Sequence, residues 1–423
     1  MGFIKNILKS PLFRLSSLNS LSLLVRVAGG LLGSKMIALF IGPSGMAVTG
    51  NLRNLLTSVD AFSTFGMQNG IIKYTAENST AKEQLNRILA TTFLSIFIAI
   101  AVLMLIFILP ATYWSAYILG STQYAWVFRV LGITLPMYTG NLIFLAVLNG
   151  LGNYKQVIYL NIYGNIVGVL STALLIWQMG LSGALLGLTV YPSILFFFSA
   201  YHMQRLFPGF TFLRKKYFDK TIFNGLLSYS FMSLVTAVLG PVIYIAIRNM
   251  ITGGYSANEA GYWDAVGRIA NFYLMFATTM LTVYFLPKLS KAHTNAETKA
   301  VFKSYYKLIL PVFGAGLLLV YVLREFIIRV LFAKNFLPME NLFVWQLCGD
   351  FFKVCSLILG YEFFAKKMTK AFIFTEVFSF ALLYISSYFL VDYFGAEGAV
   401  MAHAITYFFY FLVLAFYFRK KLI

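Results

Sequence analysis

Apolar residues run along this chain in long blocks separated by short polar connections. Twelve blocks reach about 20 residues, the length a helix needs to cross a bilayer. Their approximate bounds are 17–41, 46–75, 86–111, 124–149, 154–178, 181–204, 224–250, 258–288, 303–332, 341–366, 370–392 and 396–419. Several exceed the minimum, which implies tilt or extension past the hydrocarbon. The pattern predicts an all-α polytopic membrane protein of twelve transmembrane helices.

The basic residues support that count independently. Of 33 Lys and Arg, 23 lie in alternate connections or at the span ends that flank them, starting with Lys5, Lys9 and Arg14, and Lys334 alone lies in the connections between them. A wrong span count would scramble this alternation. The basic side is the cytoplasmic one, so both termini are expected inside. The opening Met1–Ser10 is read as a short basic cytoplasmic segment, since it lacks the features of a signal peptide or a myristoylation site.

Composition narrows the class further. Hydrophobic residues make up 60 % and charged residues 11 % of 423 positions, whereas a soluble domain carries about 25 % charged residues. That excludes an ordinary soluble enzyme, a disordered regulator and a DNA-binding module. The net charge of +19 therefore reports topology and a cationic interior rather than nucleic acid. Cys348 and Cys355 sit seven apart on one expected helix, about 10 Å from each other, too far for a disulfide. They read as buried small hydrophobes. No metal cluster, Walker loop or nucleophile elbow is present, so neither a catalytic residue nor a bound cofactor is expected.

The connection from Arg205 to Asn224 divides the spans six and six, predicting lobes 1–204 and 224–423 joined by a basic linker, 205–223. The halves carry a faint repeat. Gly180-Leu-Ser-Gly183-Ala184 returns as Gly395-Ala-Glu-Gly398-Ala399, and Lys155 as Lys370, both 215 residues later. Equal span counts with one orientation imply a pseudo-twofold axis along the membrane normal. A central cavity between two six-helix lobes, opened alternately to each side, is the expected architecture.

Apart from the charges assigned to the connections and their flanking ends, nine cations and six anions fall inside the spans. A charge at mid-bilayer costs about 2.5–3.5 kcal/mol even on lenient scales, so it normally faces a polar cavity or a partner. Arg26 lies deep in the first span, and Lys35 nearer its outer end. Arg53, Thr57, Asp60 and Thr64 share one helical face, widened by Asn51, Asn54 and Ser58, and this stripe is read as lining a cavity. Arg248 follows Pro241 near the outer interface, where both snorkelling and cavity lining remain open. Asp264 and Arg268 are spaced to pair across one turn. Gln346, Asp350 and Lys353 repeat that pattern, while Glu376 and His403 are lone titratable groups. Asp60, Asp264, Asp350 and Glu376 are the candidates for a proton or sodium site. The alternatives are a structural pair with Arg53 for Asp60, a neutralised pair with Arg268 for Asp264 and with Lys353 for Asp350, and a protonated, hydrogen-bonded carboxyl for Glu376. Arg324, Glu325 and Arg329 read as an interfacial structural cluster.

Ala38-Leu-Phe-Ile-Gly42-Pro43-Ser-Gly45, Asn51-Leu-Arg53 and Asn69-Gly70-Ile-Ile-Lys73-Tyr74 resemble the opening of the Wzx-type polysaccharide flippases. Trp345-Gln346-Leu-Cys-Gly349-Asp350-Phe-Phe-Lys353, Gly360-Tyr361 and Tyr284-Phe-Leu-Pro287 resemble their enterobacterial common antigen branch. The resemblance implies a fold shared with multidrug extruders and other lipid-linked sugar flippases. It implies transport of an undecaprenyl-diphosphate-linked oligosaccharide to the periplasmic leaflet of a bacterial inner membrane. Cavity arginines are expected on the first, second and eighth helices, positions held here by Arg26, Arg53 and Arg268. An acid at Asp60 departs from that branch.

Arg248, Lys35 and Asn51 complete the expected headgroup contacts. Arginine suits phosphate because its planar fork makes paired, charge-assisted hydrogen bonds. Expected partners are the lipid-linked substrate, membrane lipids, and a polymerase and chain-length regulator of the same pathway. The alternative is a cation-coupled multidrug extruder, which calls for an acidic interior. A membrane polymerase or glycosyltransferase is disfavoured by the short outer loops.

Overall fold

The computed structural model describes residues 11–210, 217–228 and 230–422, with side chains for 18–209, 217–227 and 234–422. The expected N-terminal basic segment with Lys5 and Lys9, the side chain of Arg14, and Arg214, Lys215 and Lys216 of the linker lie outside the described residues. Among the described residues every regular element is helical.

The helices are α1 (Pro11–Phe40), α2 (Pro43–Ser63), α3 (Gln68–Glu77), α4 (Lys82–Ile108), α5 (Ala111–Leu119), α6 (Ala125–Gly150), α7 (Tyr154–Leu206) and α8 (Lys220–Ser228). They continue with α9 (Ser230–Gly254), α10 (Ala257–Met280), α11 (Leu286–Lys291), α12 (Asn295–Val322), α13 (Arg324–Leu331), α14 (Phe343–Ala365), α15 (Thr369–Tyr417) and α16 (Arg419–Leu422). Local signals mark several starts. Ser256 caps α10 by accepting from the Glu259 amide. Thr294 and Glu297 form a reciprocal capping box at α12, which satisfies two otherwise orphaned amides. The His293 and Thr294 amides donated to Glu297 hold its carboxyl below the ordinary range.

Nine helices among the described residues are long and apolar enough to cross a membrane, against twelve expected spans. The difference has physical causes. Helix α7 runs for 53 residues and α15 for 49, or roughly 80 and 74 Å at 1.5 Å per residue, far beyond a bilayer core of about 30 Å. Each reverses at a glycine. Gly180 has φ 57°, ψ −129° and Gly395 has φ 58°, ψ −132°, the geometry of the first central residue of a type II′ turn. Helix α2 is 21 residues long, but its polar face lowers its hydropathy.

The expected continuous span 46–75 is broken. Phe65 (φ 49°) and Gly66 (φ 65°) are left-handed, which ends α2 and starts α3. The expected span 303–332 also ends early, at Val322, where α12 gives way to α13. Within α13 the Glu325 carboxylate takes Arg329 at 2.5 Å. A wide π turn at Leu281–Phe285 separates α10 from α11.

The chain divides into two compact units. One holds the residues up to Met36 with Leu52–Val238, the other Ile37–Asn51 with Leu239–Ile423. The core of the first gathers Ile71, Leu89, Phe144, Val147, Met203 and Leu226 from α3, α4, α6, α7 and α8. In the second, α12 is tied to α14 by the Tyr305 and Tyr306 hydroxyls, which donate to the Val354 and Cys355 carbonyls at 2.9 and 3.0 Å. Cys355 is buried as expected, whereas Cys348 is exposed, because its position on α14 faces outward.

Candidate functional site

The start of α2 belongs to the second unit, and small residues let it approach α10. A Cβ on Gly261 would lie 1.9 Å from the Pro43 carbonyl oxygen, and one on Gly50 would lie 2.2 Å from Asp264 Oδ1. This close approach, typical of membrane helix contacts, delivers Thr49 and Asn51 of α2 to a charged cluster on α9 and α10.

Asp264 is the centre of that cluster. Arg248 Nη2 donates to Asp264 Oδ1 at 2.6 Å, and Arg268 Nε donates to Oδ2 at 2.7 Å. The rest of each guanidinium is anchored on α2. Arg248 Nη1 donates to Asn51 Oδ1 at 2.6 Å, and Arg268 Nη2 to Thr49 Oγ1 at 3.2 Å. Asn51 in turn donates to Asn249 Oδ1 at 3.1 Å. The Arg248 guanidinium lies 5.3 Å from the Trp263 ring centre, within cation–π range.

Arg248 is only 4 % exposed and Arg268 7 %, so the snorkelling alternative for Arg248 is set aside. Two guanidiniums share one carboxylate, leaving a net positive charge at a buried position. An isolated buried charge is costly, and shared ion pairs offset that cost only with good geometry. An anion able to compete with Asp264 would find two preformed forks. Arg248 Nε, among the described buried atoms, has no hydrogen-bond partner.

A second polar cluster joins α10, α14 and α15. Asp350, fully buried, accepts from the Tyr273 hydroxyl at 2.5 Å and from Gln346 Nε2 at 2.9 Å, and meets His403 Nε2 at 3.0 Å. The His403 ring stands edge-on to Tyr407 at 4.7 Å, and Lys353 Nζ lies 4.9 Å from the Tyr407 ring centre. Glu376 accepts from the Tyr410 hydroxyl at 2.7 Å. Asp350 and Glu376 are thus both held by hydroxyl donors within the second unit.

In the first unit, Asp60 accepts from the Tyr138 hydroxyl on α6, and its carbonyl accepts from Thr64 at 2.7 Å. Arg53 and Lys35 are half-buried, and Arg26 is exposed on α1. The structure therefore gathers Asn51, Arg248, Asp264 and Arg268 into one cluster. Asp350, Glu376 and Asp60 stand in separate hydrogen-bonded settings. Sequence reasoning missed Thr49, Trp263, Tyr273 and Tyr138 as partners. Trp263 beside Asp264 and Thr49 beside Gly50 were the available signals.

A family model described as polysaccharide biosynthesis protein matches residues 36–341. The chain is 33 % identical over 393 residues to the lipid III flippase of Escherichia coli (strain K12), covering 92 % of this chain and 94 % of the relative. The lipid III flippase of Shigella flexneri matches equally. Among solved structures, an inward-facing multidrug resistance MATE family transporter of the MOP superfamily superposes with a TM-score of 0.79 at 12 % identity, covering 95 % of each chain. The lipid II flippase MurJ in its inward closed conformation gives 0.74 at 17 % identity, covering 95 % of this chain and 87 % of that one. Identities this low carry the fold alone, which this chain shares with both of those proteins.

Proposed function

The chain belongs to the polysaccharide biosynthesis protein family, alongside curated lipid III flippases, and from that membership we propose that it is a flippase for a lipid-linked oligosaccharide. The cargo is an undecaprenyl-diphosphate-linked repeat unit of a surface polysaccharide. It moves from the cytoplasmic to the periplasmic leaflet of the inner membrane by alternating access, with both termini cytoplasmic. The polymerase and chain-length regulator of the same pathway would receive the product. No bond is made or broken, so the role is transport rather than catalysis.

The observation that carries this reading is the net-positive cluster Arg248–Asp264–Arg268, buried in an apolar protein. A sugar diphosphate cannot cross hydrocarbon unaided. Guanidiniums already oriented by Asn51, Thr49 and Asp264 need little reorganisation to grip phosphate oxygens. Arg26, Lys35 and Arg53 are proposed as further phosphate-facing cations of the first unit. Release requires the attraction to be weakened. Asp264 supports that step, because its carboxylate competes with phosphate for the same two forks. Asp60, Asp350 and Glu376 are the proposed sites for a coupling proton or sodium ion. An extruder of cationic drugs on the same fold is disfavoured, because a drug cation would be repelled by this net-positive cluster.

The test is complementation of a strain lacking its lipid-linked oligosaccharide flippase, with surface glycan as readout. The unsubstituted chain should restore glycan, and Arg268→Ala should not, at equal membrane abundance. Full export by Arg268→Ala, or drug resistance without glycan export by the parent, would overturn the proposal.

A further inference from the structure

A further polar feature of the second unit lies outside both the charged cluster and the Asp350 cluster. A cavity of about 540 Å³ opens between the end of α9 and the end of the first limb of α15, lined by Asn249, Gly253, Tyr388, Phe389, Asp392 and Tyr393 among others. Its size falls within the usual range for small-molecule sites, about 300–1,000 Å³. Both rims end in connections that carry no basic residue, the side proposed to be periplasmic.

We propose that this cavity is a carbohydrate subsite that holds sugar residues of the lipid-linked oligosaccharide. The inference rests on the flippase reading and adds where the glycan sits.

The lining has the chemistry of sugar recognition. A pyranose ring has apolar C–H faces and a belt of hydroxyls. Tyr388 and Phe389, each 60 % exposed, and Tyr393, 74 % exposed, offer rings to the C–H faces and two hydroxyls to the belt. The Asp392 carboxylate on α15 supplies acceptor oxygens, and Asn249 lines the α9 side. Gly253 and Gly254, on the same helix as Asn249, carry no side chain to fill the cavity, with nothing within 4 Å of where a Cβ would stand.

The cavity wall is braced. The Tyr255 hydroxyl donates to the Asp392 carbonyl at 3.1 Å, and the Tyr255 ring lies 3.1 Å from where a Gly395 Cβ would stand. The turn bearing Asp392 and Tyr393 is thereby pinned to the end of α9. Asn249 also links the cavity to the guanidiniums, through Asn51 to Arg248 at 3.1 and 2.6 Å. One hydrogen-bonded chain therefore runs from the proposed sugar wall to the proposed phosphate grip, the layout a headgroup of diphosphate followed by sugar requires.

The internal repeat supplies a control. The first half makes the same turn at Gly180, yet the positions 215 residues before Tyr388, Phe389, Asp392 and Tyr393 are Ala173, Leu174, Trp177 and Gln178. The turn itself does not need the tyrosines or the carboxylate. Aromatic anchoring at the membrane interface would be served by Trp177 as well as by Tyr388, so the two readings separate by experiment.

The experiment places the photocrosslinking residue p-benzoylphenylalanine at Phe389 and, as a control, at Leu174, in cells whose glycan export depends on this chain. After irradiation, glycan-bearing lipid should be attached at position 389 and phospholipid alone at 174. In parallel, Tyr388→Ala/Tyr393→Ala should lower export about tenfold, the effect of losing two ring contacts. Trp177→Ala, outside the cavity, should export within about twofold of the parent. Phospholipid alone at 389, or parental export by the double alanine variant, overturns the subsite while leaving the flippase reading in place. Failure of the parent to restore any glycan overturns the flippase reading, and the subsite with it. If the double alanine variant does not accumulate, the crosslink at 389 decides.

Discussion

Arg248 Nη2 lies 2.6 Å from Asp264 Oδ1, so a guanidinium on α9 is paired with a carboxylate on the next helix, 16 residues away. Arg268 takes the other oxygen of the same carboxylate. One acid thus sets the direction of two forks, and its removal would leave two buried cations facing each other. The arrangement makes Asp264 as important to the proposed phosphate grip as either arginine.

Replacing Arg248 by alanine strands part of that carboxylate. Truncating one partner of a buried pair typically costs about 3–5 kcal/mol, softened here because Arg268 remains. Arg248→Ala should lower the melting temperature of the purified protein in detergent, and Arg248→Ala/Asp264→Ala should not lower it further by the sum of the single effects. Strict additivity of the two substitutions would show that the pair is not coupled. Arg248→Lys should keep the fold better than alanine yet lose export, since an ammonium cannot make the paired contacts of the fork.

Gly50 should be intolerant for a different reason. A methyl group there would fall 2.2 Å from Asp264 Oδ1 and 3.0 Å from Arg248 Nη2. Gly50→Ala is a good helix former in isolation, so any benefit of helix propensity, about 1 kcal/mol, should be overridden. The expected outcome is normal membrane abundance with export lost, measured by immunoblot and surface glycan together. Retained export would mean that α2 can withdraw from the cluster without consequence.

The two turn glycines should differ. Both have φ near 58°, a backbone that costs a side-chain-bearing residue roughly 1–3 kcal/mol. A Cβ at Gly180 would meet open space, whereas one at Gly395 would press on Tyr255 at 3.1 Å. Gly395→Ala should therefore be more destabilising than Gly180→Ala in a thermal melt. Equal effects would remove the bracing role assigned to Tyr255.

These particulars show what was legible before the structure. The long apolar blocks read directly as helices, and the repeated Gly-x-x-Gly-Ala marked both reversals. At Gly183 and Gly398 a Cβ would strike the carbonyl oxygens of Leu175 and Leu390, at 1.9 and 2.1 Å, so the same spacing encodes the same close turn in each half. The break at Phe65–Gly66 was not legible, because an aromatic followed by glycine inside an apolar run carries no helix-stop signal of its own. At the site, Asp264 with Arg268 was readable because the pair lies within one helix. Arg248 with Asp264, Tyr138 with Asp60 and His403 with Asp350 were not. They join different helices, and hydrophobic periodicity says which face of a helix is polar but not which partner it meets.

The Asp350 cluster yields a prediction about donors. The carboxylate accepts from Tyr273 and Gln346 and meets His403 at 3.0 Å. An asparagine would keep the shape, and a neutral His403 could accept from its amide, so Asp350→Asn should be tolerated better than Asp350→Ala. The alanine variant leaves the surrounding groups unpaired at about 1–3 kcal/mol each. If Asp350 carries the coupling ion, Asp350→Asn should fold with near-parental stability yet lose export that depends on the membrane ion gradient. Full gradient-driven export by the asparagine variant would remove Asp350 from the coupling sites.

Glu362 makes the last case, at the far end of α14. It is completely buried, and Lys421 Nζ reaches it at 2.6 Å from the short C-terminal helix α16. A carboxylate there without a counter-charge is expensive, so Lys421→Ala should destabilise by about 3–5 kcal/mol, although Lys421 itself is partly exposed and an exposed lysine would ordinarily be dispensable. Deleting residues 419–423 should do the same. Glu362→Gln should rescue either variant, because a neutral amide no longer needs the ammonium. Thermal melts of Lys421→Ala with and without Glu362→Gln decide the matter. A Lys421→Ala protein as stable as the parent would show that Glu362 is accommodated without the C-terminal helix.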